Sequence, residues 1–446
     1  MRNAILAGVL ALVGCTSVRP IDAEFAQYLV PIRADGSLAR LRTTTAANAV
    51  ASAPEPSEQA RFAEILGALR AHATTPERKR LLLFIHGGLN APDETVLRTQ
   101  ELAPKILEAG YFPIFVTWNS SLQSTYREHL LSVRQGRRWN AVPAAVTAPL
   151  VLGTDAMRAV ARAPFAIFRQ LAYATDGVGS LFVDEDWRDV ERRVERGGLV
   201  VLDSGSDQRT WLEQQRAGFS RALFFPTQLA SAGLLDAVGK SAWDMMLRRT
   251  ELMFHLDSTD PQRLGALARF LDELAAVLDP EWEVVLIGHS MGTIVLNRVL
   301  TEYDRIDFDR VVYMAAACSV DDYEDAVFPY LLSHPGTQMY HLTLHHKAEQ
   351  RETYIAPLLQ GSLLVWIDDF LANPLTFRGR TAGRYMNLIT AAESTPAPLR
   401  SRVHVKEYDA GSATAASEPQ THGAFTQCSF WQPDFWQPDA HPAVCQ

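Results

Sequence analysis

The stretch that decides the fold is "VVLIGHSMGTIVLNRVL", residues 284–300. It begins with an apolar run of buried-strand length, and it ends with apolar side chains at helical spacing. Between the two parts lies Ser290, with Gly288 two residues before it and Gly292 two residues after it. A strand that passes at once into a helix needs a sharp turn, and small residues allow it. We therefore predict that Ser290 stands out from the carboxyl end of a buried strand; the alternative is a serine in an ordinary glycine-rich turn.

A serine hydroxyl held in such a turn is suited to nucleophilic catalysis. The hydroxyl is a weak nucleophile until a base removes its proton and the turn holds its oxygen at the site of attack. The helix that follows adds its positive dipole end, and the N–H of Met291 would face a developing oxyanion. The motif thus predicts acyl transfer through Ser290.

A second loop, "HGGLN" at residues 86–90, follows an earlier apolar run. Glycine lets the backbone approach a ligand closely and turn an N–H toward it. Gly88 or Leu89 would therefore supply the second oxyanion donor. His86 lies upstream of the serine, and we interpret it as a residue that orients this loop.

Apolar runs alternate with helical patterns along much of the chain. Runs such as "RLLLFI", "YFPIFVTW", "EVVLI", "RVVYMAAAC", "MYHLTL" and "RVHVKEY" have few polar residues, which is typical of parallel strands buried on both faces. The pattern predicts an α/β protein with a mostly parallel central sheet and helices on both faces. The rhythm breaks between residues 120 and 282, where helical patterns predominate, and we expect a large helical insert there that forms a cap or lid. An ordinary helical elaboration of the sheet is the alternative.

Composition limits the partners. The formal net charge is −9 and the two signs of charge are interspersed, which argues against nucleic-acid binding. A small-molecule or lipid ester is the expected partner.

The N-terminus has the features of an export signal. A basic "MRN" precedes the apolar run "AILAGVLALVG", which is too short to remain as a membrane span. The sequence "LVGC" resembles a bacterial lipobox, in which the cysteine is lipidated after cleavage. We therefore expect residues 1–14 to be a signal peptide and Cys15 to carry a lipid anchor, at the outer membrane or the periplasmic face of a Gram-negative envelope. An ordinary secretory signal with an incidental cysteine is the alternative.

Three further cysteines remain after Cys15. An exported chain permits disulfides, and Cys428 and Cys445 flank a short proline-containing tail that a bridge would pin. We expect these two to pair, although sequence alone leaves pairings with Cys318 open.

The two glycine-containing loops together resemble the serine esterases and lipases of the α/β-hydrolase superfamily. The resemblance runs from about residue 81 to residue 422, and it implies a triad in the chain order serine, acid, histidine. It divides the chain into 15–119 and 283–446 as parts of the hydrolase domain, with 120–282 inserted.

The resemblance also implies the partners of Ser290. The base belongs on the loop after the last strand, which is where His422 lies. The acid belongs just after the penultimate strand, where Glu349 is the first carboxylate; Asp321 and Asp322, one strand earlier, are the alternatives. The implied activity is carboxylic ester hydrolysis through an acyl-enzyme, without a cofactor.

Other functions and sites remain open at this point. An acyltransferase would use the same residues, and a non-catalytic envelope interaction protein would use the same scaffold. His341, His345 and His346 lie close together in sequence, but no recognised zinc signature includes them, and no metal is expected.

Overall fold

A computed structural model describes residues 20–44, 57–74, 79–88, 92–134, 137–179, 186–213, 239–257, 260, 262–355, 359–372, 374–411, 418–438, 440 and 445. Three sequence predictions concern other positions. The signal segment 1–14, the proposed lipidation site Cys15 and the oxyanion candidate Leu89 lie outside the described residues.

Within the described residues, eight strands form the central sheet: β1 (Leu29–Ile32), β2 (Arg80–Ile85), β3 (Phe112–Trp118), β4 (Val201–Asp203), β5 (Glu283–His289), β6 (Arg310–Met314), β7 (Gln338–Leu344) and β8 (Val403–Tyr408). Their order across the sheet is β1-β3-β2-β5-β6-β7-β8-β4. Every neighbouring pair is parallel. The predicted α/β class with a mostly parallel sheet is confirmed.

The helices that flank and connect these strands are α1 (Glu58–His72), α2 (Pro92–Glu108), α3 (Leu122–Leu131), α4 (Ala141–Gly179), α5 (Asp186–Gly197), α6 (Ala266–Ala275), α7 (Gly292–Glu302), α8 (Val320–Ser333), α9 (His346–Arg351) and α10 (Tyr385–Ala391). Residues 239–252 are also helical. Shorter helices are Ala23–Ala26, Leu363–Trp366, Ile367–Leu371, Ala392–Ser394, Ala397–Leu399, His422–Gln427 and Pro433–Trp436. Three small strand pairs join Ile21–Asp22 to Thr43–Thr44, Val133–Arg134 to Arg137–Arg138, and Thr353–Ile355 to Leu359–Gln360.

The central strands are apolar because both faces of the sheet are covered. All of β3 is buried, and in β2 and β5 only the first residue is partly exposed. Helix α7 packs on this layer through Val295, Leu296 and Val299, which are all fully buried. Parallel strands joined by helices bring their carboxyl ends to one edge of the sheet, which is where Ser290 follows β5.

The interval 120–282, for which a helical cap or lid is predicted, also contributes a strand and a helix to the sheet domain itself. Its strand β4 pairs in parallel with β8, with His404 opposite Val201, and so forms one edge of the central sheet. Its helix α6 buries Leu267, Phe270 and Leu271 in the main core. The run "LVVLD" at residues 199–203, bounded by glycines, is a strand signal that the helical interpretation of this interval missed. Of the predicted insert, α4 is the longest helical part.

Among the described residues, no helix is both long enough and apolar enough to cross a membrane.

Candidate active site

The backbone of Ser290 lies in a conformation that residues with side chains rarely adopt. Its φ is 52°, in the left-handed region, between the end of β5 at His289 and the start of α7 at Gly292. The Ser290 N–H donates to the Met314 carbonyl of the adjacent strand at 2.9 Å, which holds the turn against β6. Such a conformation costs about 1–3 kcal/mol and persists where the surrounding structure enforces it, often at functional sites. The sharp strand–helix turn predicted from the motif is therefore present.

The two glycines of the motif have no room for a side chain. A Cβ on Gly292 would come within 2.2 Å of the Ile85 carbonyl oxygen, which is backbone at the end of β2. A Cβ on Gly288 would lie 2.8 Å from the side chain of Leu296. The turn at Ser290 thus lets α7 approach both its own strand and the neighbouring one, as the motif requires.

The second glycine loop lies directly against the serine. A Cβ on Gly87 would be 2.7 Å from Ser290 Cβ, and one on Gly88 would be 2.8 Å from Met291 Sδ. The Gly87 carbonyl is engaged elsewhere, since Ser120 Oγ donates to it at 3.0 Å. The structure therefore brings together the described residues of both predicted oxyanion loops, Gly88 and Met291. Met291 is the N-cap residue of α7, and N–H groups at the start of a helix lack intrahelical partners.

His86 orients the glycine loop, as its position in the sequence indicates. Its Nε2 accepts the Trp118 N–H at 3.0 Å, and its Nδ1 lies 2.7 Å from the Gly87 carbonyl. An Nδ1–H tautomer satisfies both contacts. Burial lowers the pKa of His86 to about 4, so the ring stays neutral and both of its nitrogens serve the loop.

His422 lies beside the serine turn. It begins the short helix His422–Gln427, and its ring centroid is 5.0 Å from that of His289, the residue before Ser290. The His289 Nε2 donates to the His422 carbonyl at 2.9 Å, which anchors the segment. Burial holds the pKa of His422 well below its usual value, so its imidazole is neutral and available as a base.

Several buried polar atoms at this place have no hydrogen-bond partner within the described structure. They are Ser290 Oγ, His289 Nδ1 and both ring nitrogens of His422. Ser290 itself is fully buried. Unsatisfied buried polar groups are costly and rare in folded proteins, and they call for a functional explanation. Ser290 and His422 are both buried next to His289, and no hydrogen bond joins the Ser290 hydroxyl to the His422 ring within the described structure.

Glu349, the acid implied by the resemblance, lies on α9 and faces a different group. It is buried, its Oε2 lies 3.6 Å from Nε of Arg384, and Arg384 also binds Asp368 at 2.9 Å. Burial raises the pKa of Glu349 to about 8, although the nearby Arg384 charge opposes the shift. Within the described residues, no hydrogen bond joins the Glu349 carboxylate to His422.

Glu352, which sequence reasoning missed, contacts His422 directly. Its Oε2 accepts the backbone N–H of His422 at 2.8 Å. Burial raises the pKa of Glu352 to about 7, and the His422 hydrogen bond opposes that shift. Glu352 follows the end of α9, three residues after Glu349, so the sequence "AEQRE" offered two carboxylates at helical spacing where only the first was considered.

The alternative acids make other contacts. Asp321 and Asp322 are in the first turn of α8, and the Asp321 carboxylate pairs with Arg378 Nε at 2.6 Å. Asp322 is exposed. The described contacts join neither residue to His422.

Ala315 is a second strained residue beside the site. Its φ is 44°, and it directly follows β6, the strand next to Ser290. A Cβ on Gly383 would clash with Ala316 N at 2.0 Å, which shows how tightly this corner is packed. No local signal in "YMAAAC" marks the position, because its conformation is imposed by packing.

The C-terminal tail holds the segment that carries His422. Cys428, directly after the helix His422–Gln427, forms a disulfide with Cys445. Phe430, Phe435 and Trp436 between them are buried in the core. Cys318 is a buried free thiol. The bridge therefore restricts the segment that carries His422.

A group of potential metal ligands lies where β7 ends, beside β8. His345, His346 and Glu407 are buried, with ligand atoms within 4.8 Å of one another. The two rings stack with centroids 4.4 Å apart, whereas imidazoles that share an ion direct their nitrogens at it. His341, by contrast, lies within β7 and packs against Tyr313 and Tyr323.

Comparison with family models, curated proteins and solved structures finds no match to this chain.

Proposed function

We propose that this chain is a serine hydrolase of the α/β-hydrolase type that cleaves carboxylic esters through an acyl-enzyme on Ser290. The observation that carries the proposal is the backbone of Ser290, strained at φ 52° between a buried strand and a helix, with a glycine loop against it. A serine in an ordinary loop would relax to a negative φ, because nothing there would enforce the strained conformation.

The position of the residues along the sheet supports the same proposal. Ser290 follows β5, Glu349 and Glu352 follow β7, and His422 follows β8. Serine, acid and histidine thus occur in the chain order of the α/β-hydrolase superfamily, at the carboxyl edge of one parallel sheet.

The chemistry follows from these positions. The His422 imidazole takes the Ser290 proton as Oγ attacks the ester carbonyl, and the N–H groups of Met291 and Gly88 would bind the oxyanion. Collapse of the tetrahedral intermediate breaks the ester bond, and His422 returns the proton to the leaving alcohol. Water, activated by the same imidazole, then hydrolyses the acyl-enzyme and releases the acid.

Glu352 is our preferred acid, because its carboxylate accepts the backbone N–H of His422, whereas no described contact joins Glu349 to that residue. A carboxylate near the imidazole stabilises the cation that forms during the reaction. Glu349 remains the acid implied by sequence resemblance, but its carboxylate is directed to Arg384.

The acid can be identified by paired substitutions. We expect Glu352→Gln to lower kcat/KM by about 10³-fold or more, and Glu349→Gln to lower it by less than about tenfold. Because the pKa of Glu352 is raised to about 7, activity should fall as the pH drops below about 7, where the carboxyl group becomes protonated and loses its charge. This acidic limb should be absent from the Glu352→Gln profile. The reverse ranking of the two variants would return the acid role to Glu349.

Since Ser290 is buried, substrate entry requires a covering element to move. The expected substrates are small or lipid esters, and we propose that the enzyme is exported and held at the envelope by a lipid on Cys15. An apolar acyl chain would suit a site that excludes water.

A fluorophosphonate probe tests the proposed chemistry without any substitution. The folded chain should be labelled, and mass mapping should place the label on the peptide that contains Ser290. The heat-unfolded chain should not react, because activation depends on His422 and the turn. A label on a different serine, or none on a folded chain that also fails to cleave p-nitrophenyl esters of graded length, would refute the proposal.

A further inference from the structure

Helix α4 exposes a long apolar face that the proposed chemistry does not use. Between residues 142 and 164, almost all exposed positions are apolar, and Thr154 and Arg158 are the two polar ones. The largest exposed side chains are Val142 (74%), Val146 (72%), Leu150 (72%), Leu152 (50%), Met157 (67%) and Val160 (74%). Most of these recur every three or four residues, so they form one stripe about 30 Å long.

The opposite face of α4 is fixed to the protein. Ala144, Ala148 and Ala159 are buried there. Asp155 is also buried, and its Oδ2 lies 3.2 Å from the Tyr126 hydroxyl and 3.4 Å from His129 Nε2 on α3. These contacts fix the inner face of α4 against α3, so the apolar stripe lies on the outer face of the helix.

The charge around this helix has the opposite sign to that of the chain. Residues 134–169 contain six arginines and one aspartate, Asp155, whereas the whole chain carries a formal net charge of −9. Trp139 is 45% exposed just before the helix, and the Arg158 side chain on the helix is 78% exposed. Arg134, 5.2 Å from the Trp139 ring centre, instead donates inward to the Ala144 carbonyl. Exposed tryptophan and arginine beside an apolar stripe are typical of helices that lie at a membrane surface.

We infer that the outer face of α4 binds the surface of an anionic lipid bilayer, with the helix lying in the plane of the interface. The apolar stripe would enter the acyl boundary, and the exposed Arg158 beside it would meet the headgroups. A second copy of the chain fits this face less well, because a two-fold contact between two α4 helices would bring two arginine-rich segments of like charge together. The inference rests on α4 alone and is independent of Ser290 chemistry and of a lipid on Cys15.

The insertion of α4 can be measured with an environment-sensitive label. The full-length chain would carry Cys15→Ser in every sample, and an NBD fluorophore would be attached to Leu150→Cys or, as a control, to Leu375→Cys. Both leucines are highly exposed, at 72% and 85%. The native thiols do not compete, since Cys318 is buried and Cys428 is bonded to Cys445.

Vesicles of phosphatidylcholine with phosphatidylglycerol should raise the emission at position 150 several-fold, and acyl-chain quenchers should reduce it. The label at position 375 should not respond. Equal responses at both positions, or none at position 150, would overturn the inference. A rise at position 150 that depends on protein concentration without vesicles would also overturn it, in favour of self-association.

Charge substitution supplies a second readout. In the same Cys15→Ser background, Val146→Glu/Leu150→Glu/Met157→Glu should reduce partition to these vesicles by about a hundredfold or more. The matched control, Leu212→Glu/Leu332→Glu/Leu375→Glu, alters three exposed leucines elsewhere and should partition normally. Both variants should hydrolyse a soluble short-chain ester at the unsubstituted rate, which separates this test from that of the active site. Equal partition of the two variants would overturn the inference.

Discussion

Replacement of Ser290 by alanine is expected to abolish ester hydrolysis, with a fall in kcat of about 10⁴- to 10⁶-fold, and to leave the fold intact. The loss follows because Oγ is the atom that would form the acyl bond. The stability outcome follows from the same atom: Ser290 Oγ is buried without a hydrogen-bond partner. Removing an unsatisfied buried hydroxyl spares its desolvation penalty, so the free energy of unfolding should stay the same or rise by about 1 kcal/mol.

Thermal unfolding and steady-state kinetics on the same samples check both parts. Ser333→Ala is the control, since its hydroxyl lies at the exposed end of α8 and should affect neither quantity. A Ser290→Ala protein that retains hydrolysis while its melting temperature falls would show that the hydroxyl is structural.

Replacement of His422 by glutamine should lower kcat by about 10⁴-fold while folding is retained. Both ring nitrogens of His422 are buried without partners, whereas its backbone N–H and carbonyl hold Glu352 and His289. A glutamine keeps the backbone contacts and loses the base. Burial lowers the pKa of His422 well below its usual value, so the imidazole is neutral near pH 7. The pH profile of kcat should therefore show no step from His422 near its usual pKa.

His404→Gln is the matched control for this result. His404 lies on β8 and its Nε2 is 3.0 Å from Gln338 Oε1, on a strand that precedes the His422 segment. Its loss should leave kcat within about twofold of the parent value. Comparable losses in both variants, with native melting curves, would mean that His422 has no special role.

The proposed membrane face of α4 and the buried serine site suggest one sequence of events. A helix lying at a bilayer would bring the proposed enzyme to lipid esters, and movement of the element that covers Ser290 would admit an acyl chain. The two elements remain testable apart, since the soluble-ester assay requires only Ser290 and His422.

Much of this architecture was predictable from local pattern. A buried strand, a serine between two glycines and a helix follow one another within residues 284–300, and their geometry depends on that segment itself. Apolar runs that alternate with helical patterns likewise predict a parallel sheet covered on both faces, because a strand is apolar at every position only when both of its faces are buried. His422 was placed after the last strand by chain order alone.

Other features were decided by contacts between distant parts of the chain. β4 joins the sheet by pairing with β8 across about 200 residues, and its short apolar run does not specify that partner. Ala315 takes its strained φ from packing at the strand end, which leaves no trace in a run of alanines. Burial of Ser290 is likewise a property of what surrounds the turn.

The choice between Glu349 and Glu352 shows most clearly which features follow from local sequence pattern and which depend on tertiary contacts. The sequence by itself determined that a carboxylate follows β7, because the chain order of strands and loops can be traced from hydrophobic pattern. It did not determine which carboxylate reaches His422, because the two differ by three residues and their contacts depend on Arg384 on one side and the His422 segment on the other. Local periodicity specifies elements and their order, whereas side-chain partners arise only when those elements pack together.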